Sequence, residues 1–210
     1  MQHILIPARL GSKGAPFKNR TLVPKLLKKL DKFNLLDKVI LSTNDPILQK
    51  FGDRYGIVVH NRPNEFSSDT ISMKSVLINV IEDLNLDSEA DILTLYPTYP
   101  GRELDDILEF EEFYYKHKLR SALCKEDIKT HPYLCLHEEG IHSSTINGHN
   151  LYRRQDYPKC FKISHYLVLT RVSEIKNLTN QLYDNKTGFY YIEEKLDVDY
   201  ISDLDKVKKV

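Results

Sequence analysis

The sequence predicts an α/β protein with a mainly parallel sheet that is covered by helices on both faces. Short apolar runs alternate with helically spaced apolar residues along the first half of the chain. In addition, the 210 residues are 41% hydrophobic and 29% charged, which is typical of a soluble globular protein. A chain of this length can bury a substantial core, so we expect one domain spanning residues 1–210.

Four strands and four helices are predicted in alternation before residue 120. The predicted strands are 3–7, 38–42, 57–61 and 91–97, and the predicted helices are about 21–33, 47–56, 68–86 and 103–118. Such alternation forms βαβ units with a parallel sheet. Because their crossovers are right-handed, the carboxyl ends of the strands meet at one edge, where α/β proteins bind ligands.

The second half of the sequence is less regular. Residues 131–157 are rich in His, Gly, Asn and Ser, which predicts loops or an antiparallel excursion from the sheet. Segments 159–171 and 188–200 are predicted as further strands, and Asp203 as an acidic residue in the first turn of the last helix.

Charge and cysteine content limit the class of protein. Thirty Lys and Arg balance 30 Asp and Glu, which argues against a protein that coats nucleic acid or membrane but permits a local basic pocket. No apolar run reaches the length of a membrane span, and the first strand begins too early for a signal peptide, so we expect a cytoplasmic protein. Cys124, Cys135 and Cys160 lack C-x-x-C spacing and are expected to be reduced thiols in buried positions.

The loop after the first strand concentrates positive charge. Gly11 and Gly14 permit close approach of the backbone, so main-chain N–H groups can face phosphate oxygens. Arg9, Lys13 and Lys18 add charge-assisted contacts to a polyphosphate. Neither G-x-G-x-x-G nor G-x-x-x-x-G-K-[ST] is present, so the dinucleotide and ATPase motifs are absent. The loop alone therefore fits either a polyphosphate site or a solvated surface connection.

A second candidate feature is the pair Asp197 and Asp199. Two residues apart in a predicted strand, both carboxylates should project from the same face. Beside a triphosphate they would suit Mg²⁺, which prefers carboxylates together with phosphate oxygens and water. Paired aspartates are also common on solvated strand faces, so the spacing alone leaves both interpretations open.

Six motifs, taken in order, resemble one family. The opening loop matches P-A-R-x-G-S-K-x-x-P-x-K-N between Pro7 and Asn19. Later segments in the same order are LSTNDPILQKFGDRYG, NRPNEFSSDT, LYPTYPGRELDDI, YRRQDYPKCFK and LDVDYISDLD. Together they resemble the CMP-sugar cytidylyltransferases of the acylneuraminate type, which activate sialic acids and related ulosonic acids. The likeness spans nearly the whole chain.

The resemblance implies a nucleotide-diphosphosugar transferase (Rossmann-like) fold and a homodimer, with about 131–160 as a dimerisation or substrate excursion. It implies that CTP and an acidic sugar react, with Mg²⁺, to give a CMP-sugar and pyrophosphate for polysaccharide or glycoconjugate assembly. Arg9 and Lys18 would be catalytic. The implied nucleotide-binding residues are Arg9, Gly11, Ser12, Lys13, Lys18, Asn19, Arg62 and Ser68; the implied sugar-binding residues are Tyr96, Arg153, Arg154 and Gln155; the implied metal ligands are Asp197 and Asp199.

Several of these residues also have purely structural interpretations. Asn19 suits a helix cap or turn, Ser68 or Asp69 the cap of the following helix, and Arg62 and Arg153 ion pairs or an interface.

The chain departs from the family pattern mainly where the sugar should bind. Leu10 replaces a loop glycine, and the other changes are Tyr96 for Gln, Tyr99 for Ser, Gly101 for Leu, and Ser164 with His165 for an Asn-Gly pair. We therefore expect CTP activation to persist with an unusual acceptor, because a tyrosine hydroxyl cannot reproduce the donor and acceptor pattern of an amide. Two alternatives stay open: a degenerate homologue that binds a nucleotide or a protein, and a CMP-Kdo-type synthetase.

Overall fold

The computed structural model describes residues 1–12 and 14–207. Its strands are β1 (His3–Pro7), β2 (Val39–Thr43), β3 (Val58–Asn61), β4 (Asp91–Thr94), β5 (Ser121–Asp127), β6 (Leu136–Glu139), β7 (His142–Thr145), β8 (Phe161–Arg171) and β9 (Gly188–Tyr191). Its helices are α1 (Lys18–Lys32), α2 (Pro46–Tyr55), α3 (Met73–Asp83), α4 (Leu104–Lys116) and α5 (Ile201–Val207).

Seven strands form a mixed sheet in the order β3-β2-β1-β4-β8-β5-β9. β1 pairs in parallel with both β2 and β4, and β5 pairs in parallel with β9. β8 runs antiparallel to its neighbours β4 and β5. The predicted, mainly parallel sheet is confirmed. Since the chain winds outward from β1 in both directions, a crevice opens beyond the carboxyl ends of β1 and β4.

Helices cover both faces of this sheet, as predicted. Apolar residues of α1, α2 and α4, among them Leu27, Leu48 and Phe110, pack on one face in one buried cluster. On the other face, Val76 of α3 and Ile175 of a short 3-10 turn belong to a second cluster. The alternation of apolar residues in the sequence was therefore a reliable guide to which side of each helix is buried.

Two helix boundaries differ from the prediction. α3 begins at Met73 rather than Ser68, because the Ser72 side chain accepts a hydrogen bond from Ser75 N at 3.1 Å and caps the helix. The prediction that Ser68 or Asp69 caps this helix is wrong. α1 begins at Lys18, directly after Phe17, whose φ of 62° turns the chain into the helix.

The predicted strand 188–200 is only partly formed. β9 ends at Tyr191, and the aspartate pair lies in an irregular segment before α5. This segment is held by one backbone hydrogen bond from Val198 N to Thr98 O, 2.9 Å long. Asp203 lies in the first turn of α5, as expected. Its Oδ2 accepts hydrogen bonds from Asp199 N at 3.2 Å and Tyr200 N at 3.0 Å. We name residues 197–199 the acidic segment.

The predicted antiparallel excursion is present as the β6–β7 hairpin, separate from the main sheet. It is held by a ring cluster in which Tyr133 stacks on His149 with centroids 4.2 Å apart and Tyr157 packs edge-on against both. All three cysteines are free, but only Cys124 is buried; Cys135 and Cys160 are half-buried, so the expectation of buried positions holds for one of three. None of the described helices has the length and apolar character needed to cross a membrane.

A buried carboxylate secures the end of the sheet that lies away from the crevice. Asp91, 1% exposed, accepts hydrogen bonds from Tyr114 Oη at 2.9 Å, Tyr115 Oη at 3.1 Å and Arg171 Nε at 3.1 Å. Burial, followed by the interaction with Asp91, raises the pKa of Tyr114. These contacts join α4 to the start of β4 and the end of β8.

Removing this carboxylate should destabilise the fold. We expect Asp91→Ala to lower the free energy of unfolding by about 3–5 kcal/mol, since buried donors lose their partner. Urea titration measures the change. Asp53→Ala, an exposed aspartate of α2, is the control and should shift stability by about 0.5 kcal/mol or less. Equal effects of the two substitutions would contradict the structural role of Asp91.

Candidate active site

A cleft of about 520 Å³ lies beyond the carboxyl end of β4. It is lined by Thr70, Ser72, Met73, Tyr96, Thr98, Tyr99, His165, Asn180, Gln181, Asp197 and Asp199. Among the described residues of this lining, the charged side chains are the two aspartates. They come from the acidic segment, which returns to this edge of the sheet near the end of the chain.

The backbone of the opening loop, described for residues 8–12 and 14–17, is held by hydrogen bonds to the side chains of Asn44, just after β2, and Asn19, in α1. Leu10 N donates to Asn44 Oδ1 at 2.7 Å, and Asn19 Nδ2 donates to the carbonyl of Arg9 at 3.0 Å. Gly11 has a φ of 79°, in the left-handed region that favours glycine. The Asn19 amide thus supports the loop from within.

Of the side chains in the opening loop that are predicted to bind the nucleotide, the structure describes those of Arg9 and Ser12. The Arg9 guanidinium forms an ion pair with the Asp69 carboxylate, so the opening loop is tied to the segment that precedes α3. Both side chains are partly exposed. Lys13 lies outside the described residues. Ser12 belongs to the same loop and is half-buried.

Lys18 connects the opening loop to the acidic segment. Its residue is only 8% exposed, and its ammonium donates to the carbonyl of Val198 at 2.7 Å. The same Nζ atom lies 3.4 Å from Asp199 Oδ1. A residue predicted to bind phosphate and a residue predicted to bind metal are therefore neighbours, although 181 positions separate them in sequence.

Gly14 allows this close approach. A Cβ atom at this position would collide with the carbonyl oxygen of Asp199 and would also reach the Tyr200 ring. Since the clash is with backbone, a larger residue requires the loop or the acidic segment to move. Gly14 is needed for close packing rather than for an unusual φ.

The two aspartates have different environments. Asp197 is half-buried, and its Oδ1 is buried without a hydrogen-bond partner among the described atoms. Burial, with a smaller contribution from Asp199, raises the pKa of Asp197, and hydrogen bonds from Thr98 and Tyr99 to this carboxyl group oppose the shift. Asp199 is exposed. A buried carboxylate oxygen with no donor, beside a second carboxylate, is suited to a cation.

The protein supplies few other metal ligands. Across residues 1–12 and 14–207, no group of three or more His, Cys, Asp or Glu side chains is close enough to hold a metal ion. A cation at the acidic segment would thus take its remaining oxygen ligands from substrate and water.

Arg62 and Ser68, two predicted nucleotide-binding residues, differ in burial. Arg62 is 4% exposed and donates from Nε and Nη2 to the hydroxyl and carbonyl of Ser42, at 3.0 and 2.8 Å. Burial, with Arg9 as a smaller cause, lowers the pKa of Arg62 to about 10. Ser68 is exposed, and its hydroxyl lies 3.0 Å from that of Thr70, a cleft residue.

One wall of the cleft is aromatic. Tyr96 and His165 meet edge-on with ring centroids 5.8 Å apart, and His165 Nε2 lies 3.1 Å from the carbonyl of Gln181. Tyr96 and His165 are both among the residues at which the sequence departs from the family pattern. Asn180 and Gln181 were missed, because the surrounding sequence has no motif and they reach the cleft only through tertiary structure.

Three predicted sugar-binding residues lie elsewhere. Arg153, Arg154 and Gln155 are exposed in a short 3-10 turn after the β6–β7 hairpin and are not part of the cleft lining. Arg153 forms two 3.0 Å hydrogen bonds to the Asp156 carboxylate. Within one chain, the structure therefore brings together the loop and the acidic segment but leaves this arginine pair apart.

Curated relatives of the chain include N-acylneuraminate cytidylyltransferases of Streptococcus agalactiae. The serotype V protein is 28% identical over 162 residues, which are 72% of this chain and 39% of that protein. The serotype III protein is 27% identical over the same shares. The match thus spans about two fifths of the length of these relatives.

Solved structures share the fold at low identity. A CMP:2-keto-3-deoxy-manno-octonic acid synthetase complexed with CTP has a TM-score of 0.69 at 16% identity, over 99% of this chain and 96% of that one. A 4-diphosphocytidyl-2C-methyl-D-erythritol synthase from Anaerococcus prevotii has a TM-score of 0.60 at 13% identity, over 99% and 97%. These similarities establish the α/β nucleotidyltransferase fold.

The family model described as cytidylyltransferase matches residues 3–210, nearly the entire chain. Its span includes both the opening loop and the acidic segment, the two elements that meet at the cleft. The chain therefore belongs to the cytidylyltransferase family.

Proposed function

We propose that this chain transfers a cytidylyl group from CTP to a hydroxyl of a sialic-acid-like ulosonic acid, releasing pyrophosphate. The observation that carries the proposal is the contact of Lys18 with the acidic segment, 2.7 Å to Val198 O and 3.4 Å to Asp199. It puts a buried ammonium and a glycine-containing loop next to the two carboxylates that line the cleft. Family membership and the sialic-acid-activating relatives support this interpretation.

In this proposal the positive side chains act on the triphosphate. Attack on the α-phosphate in line with the leaving pyrophosphate requires positioning and neutralisation of charge more than covalent help. Lys18, which burial holds in place beside the acidic segment, would neutralise developing charge on the leaving group. Arg9 is paired with Asp69 in the free protein, so it would exchange that carboxylate for phosphate oxygens on binding.

We further propose that Asp197 and Asp199 hold Mg²⁺. The unpartnered Oδ1 of Asp197 and the second carboxylate beside it fit a hard cation. When bound, Mg²⁺ neutralises phosphate charge and orients the reacting oxygens. The protein's own contribution is to fix the acidic segment through Val198 N and Thr98 O, so that both carboxylates face the cleft.

The acceptor is proposed to bind between the acidic segment and the Tyr96–His165 wall. An ulosonic acid has a carboxylate, for which an arginine is the usual partner. Arg153 and Arg154 are candidates, and they would reach a cleft only from a second copy or after a movement of the excursion. We propose a homodimer, because the excursion that carries these arginines also exposes apolar side chains, including Ile141 at 96% and Tyr152 at 97% exposure.

The direct experiment measures pyrophosphate release from CTP with purified protein. Acceptors of eight and nine carbons, with and without N-acyl groups, are compared with and without Mg²⁺. Turnover that requires CTP, Mg²⁺ and an ulosonic acid supports the proposal. CTP binding without turnover of any acceptor would instead favour the degenerate homologue, and absence of CTP binding by folded protein would contradict a nucleotide site altogether.

Neutralising the exposed member of the aspartate pair should abolish catalysis without unfolding the protein. We expect Asp199→Asn to reduce pyrophosphate release by about 100-fold or more, as for other electrostatic groups at a reacting centre. Glu193→Gln, an exposed carboxylate outside the cleft, is the matched control and should retain activity. Retained Mg²⁺-dependent turnover in Asp199→Asn would contradict the assigned role.

Adding a side chain at Gly14 should displace the opening loop from the acidic segment. We expect Gly14→Ala to lower kcat/KM by about 10- to 100-fold, because a displacement near 1 Å can cost that much. Gly101→Ala serves as control, since a Cβ there meets nothing within 4 Å. If both variants retain wild-type rates, close packing of the loop on the acidic segment is not required for the reaction.

A further inference from the structure

A second charged depression lies on α1, outside the cleft. We name it the lysine groove: about 230 Å³, lined by Lys25, Lys28, Lys29, Lys32, Pro100 and Val207. None of these residues belongs to the cleft lining. The four lysines recur at helical spacing on α1, so they point to the same side of the helix. Their concentration contrasts with the zero net charge of the sequence.

The charges of the lysine groove are mostly uncompensated. Lys29 pairs with Glu103 at 2.8 Å and donates to the carbonyl of Arg102 at 3.0 Å. In the described part of the chain, Lys25, Lys28 and Lys32 form no ion pair with a carboxylate. Like charges three and four positions apart repel on a helix, so this face of α1 is less stable than a neutral one.

The walls of the lysine groove are the elements that build the candidate active site. α1 begins with Lys18, the loop containing Pro100 follows Thr98, and α5 follows the acidic segment. Leu22 of α1, Val198 and Val207 form a small buried cluster beneath it. Lys25 Nζ also approaches the Val207 carbonyl at 3.5 Å. An occupant would therefore contact all three elements.

We propose that the lysine groove is a second anion-binding site, for a small di- or triphosphate anion. Converging ammonium groups act as point charges that suit phosphate oxygens, and lysine is a common phosphate ligand. The depression is too small for a folded partner, and the described residues that line it include no carboxylate. Binding would relieve the repulsion on α1 and hold α5 against it. This proposal goes beyond cytidylyl transfer, and it requires neither catalysis nor the cleft.

The test uses full-length protein and the double variant Lys25→Gln/Lys28→Gln. Neither residue lies in the last turn of α1, and glutamine retains helix propensity. The control Lys50→Gln/Lys186→Gln removes two positive charges from exposed positions outside the groove. Melting temperatures are measured in phosphate-free buffer and with inorganic pyrophosphate, and binding stoichiometry is measured by titration calorimetry with the same probe.

We expect the difference in melting temperature between the groove variant and wild type to change sign when pyrophosphate is added. Without anion, Lys25→Gln/Lys28→Gln should melt at or slightly above the wild-type temperature, because like-charge pairs are removed. With pyrophosphate, wild type and control should gain several degrees, and the groove variant should lose most of that gain and one binding site. Substituting CTP for pyrophosphate distinguishes a nucleotide from a free polyphosphate as the occupant.

Three outcomes would overturn the proposal. The first is an equal gain in melting temperature with pyrophosphate for the groove variant and wild type, and the second is a loss of this gain in the control as large as in the groove variant. The third is a single pyrophosphate site in wild type that survives in the groove variant. The last result would assign all anion binding to the cleft. A separate titration of the groove variant with CTP and Mg²⁺ reports on the cleft, because the lysine groove is disabled in that variant, so failure of the lysine groove and failure of the proposed function give different results.

Discussion

The candidate site depends on one buried cation, the ammonium of Lys18. It lies at the start of α1 and reaches the acidic segment, 2.7 Å from Val198 O and 3.4 Å from Asp199. A buried ammonium without oxygen partners is costly, so the hydrogen bond to the Val198 carbonyl stabilises the folded state, whereas the exposed Asp199 carboxylate contributes less to stability. This contact fixes the distance between the glycine-containing loop and the carboxylates.

Two backbone arrangements make that contact possible. The sheet places the carboxyl ends of β1 and β4 side by side, which brings the loop before α1 next to the segment after β4. The acidic segment then crosses this edge as irregular chain, held by Thr98 O and by the Asp203 side chain. A regular strand there would use its N–H and C=O groups in pairing, whereas irregular backbone leaves the Val198 carbonyl available to Lys18.

The fold was predictable from sequence because hydrophobic periodicity is a local property. β1, β2 and α4 are each visible as a run or a helical pattern, and their alternation limits the topology. The boundaries of α3 and the end of β9 were mispredicted, since a cap by Ser72 and a tertiary contact at Val198 outweigh local propensity. The ordered motifs implied one nucleotide site that includes the loop and the aspartates, and the structure places Lys18 Nζ 3.4 Å from Asp199 Oδ1. Asn180, Gln181 and the position of the Arg153 turn depend on long-range packing that no local pattern records.

The packing of Gly14 against Asp199 also has a consequence for synthesis in the cell. These two residues are almost a whole chain length apart, and a protein leaves the ribosome from its amino end. The loop, α1 and the first strands can therefore collapse early, while the carboxylates are still inside the exit tunnel. At this stage a nascent chain has the positively charged opening loop at the edge of its sheet, but it lacks the carboxylates of the acidic segment that lie opposite the loop in the folded protein. The candidate site can thus form only in a chain whose translation has passed the acidic segment.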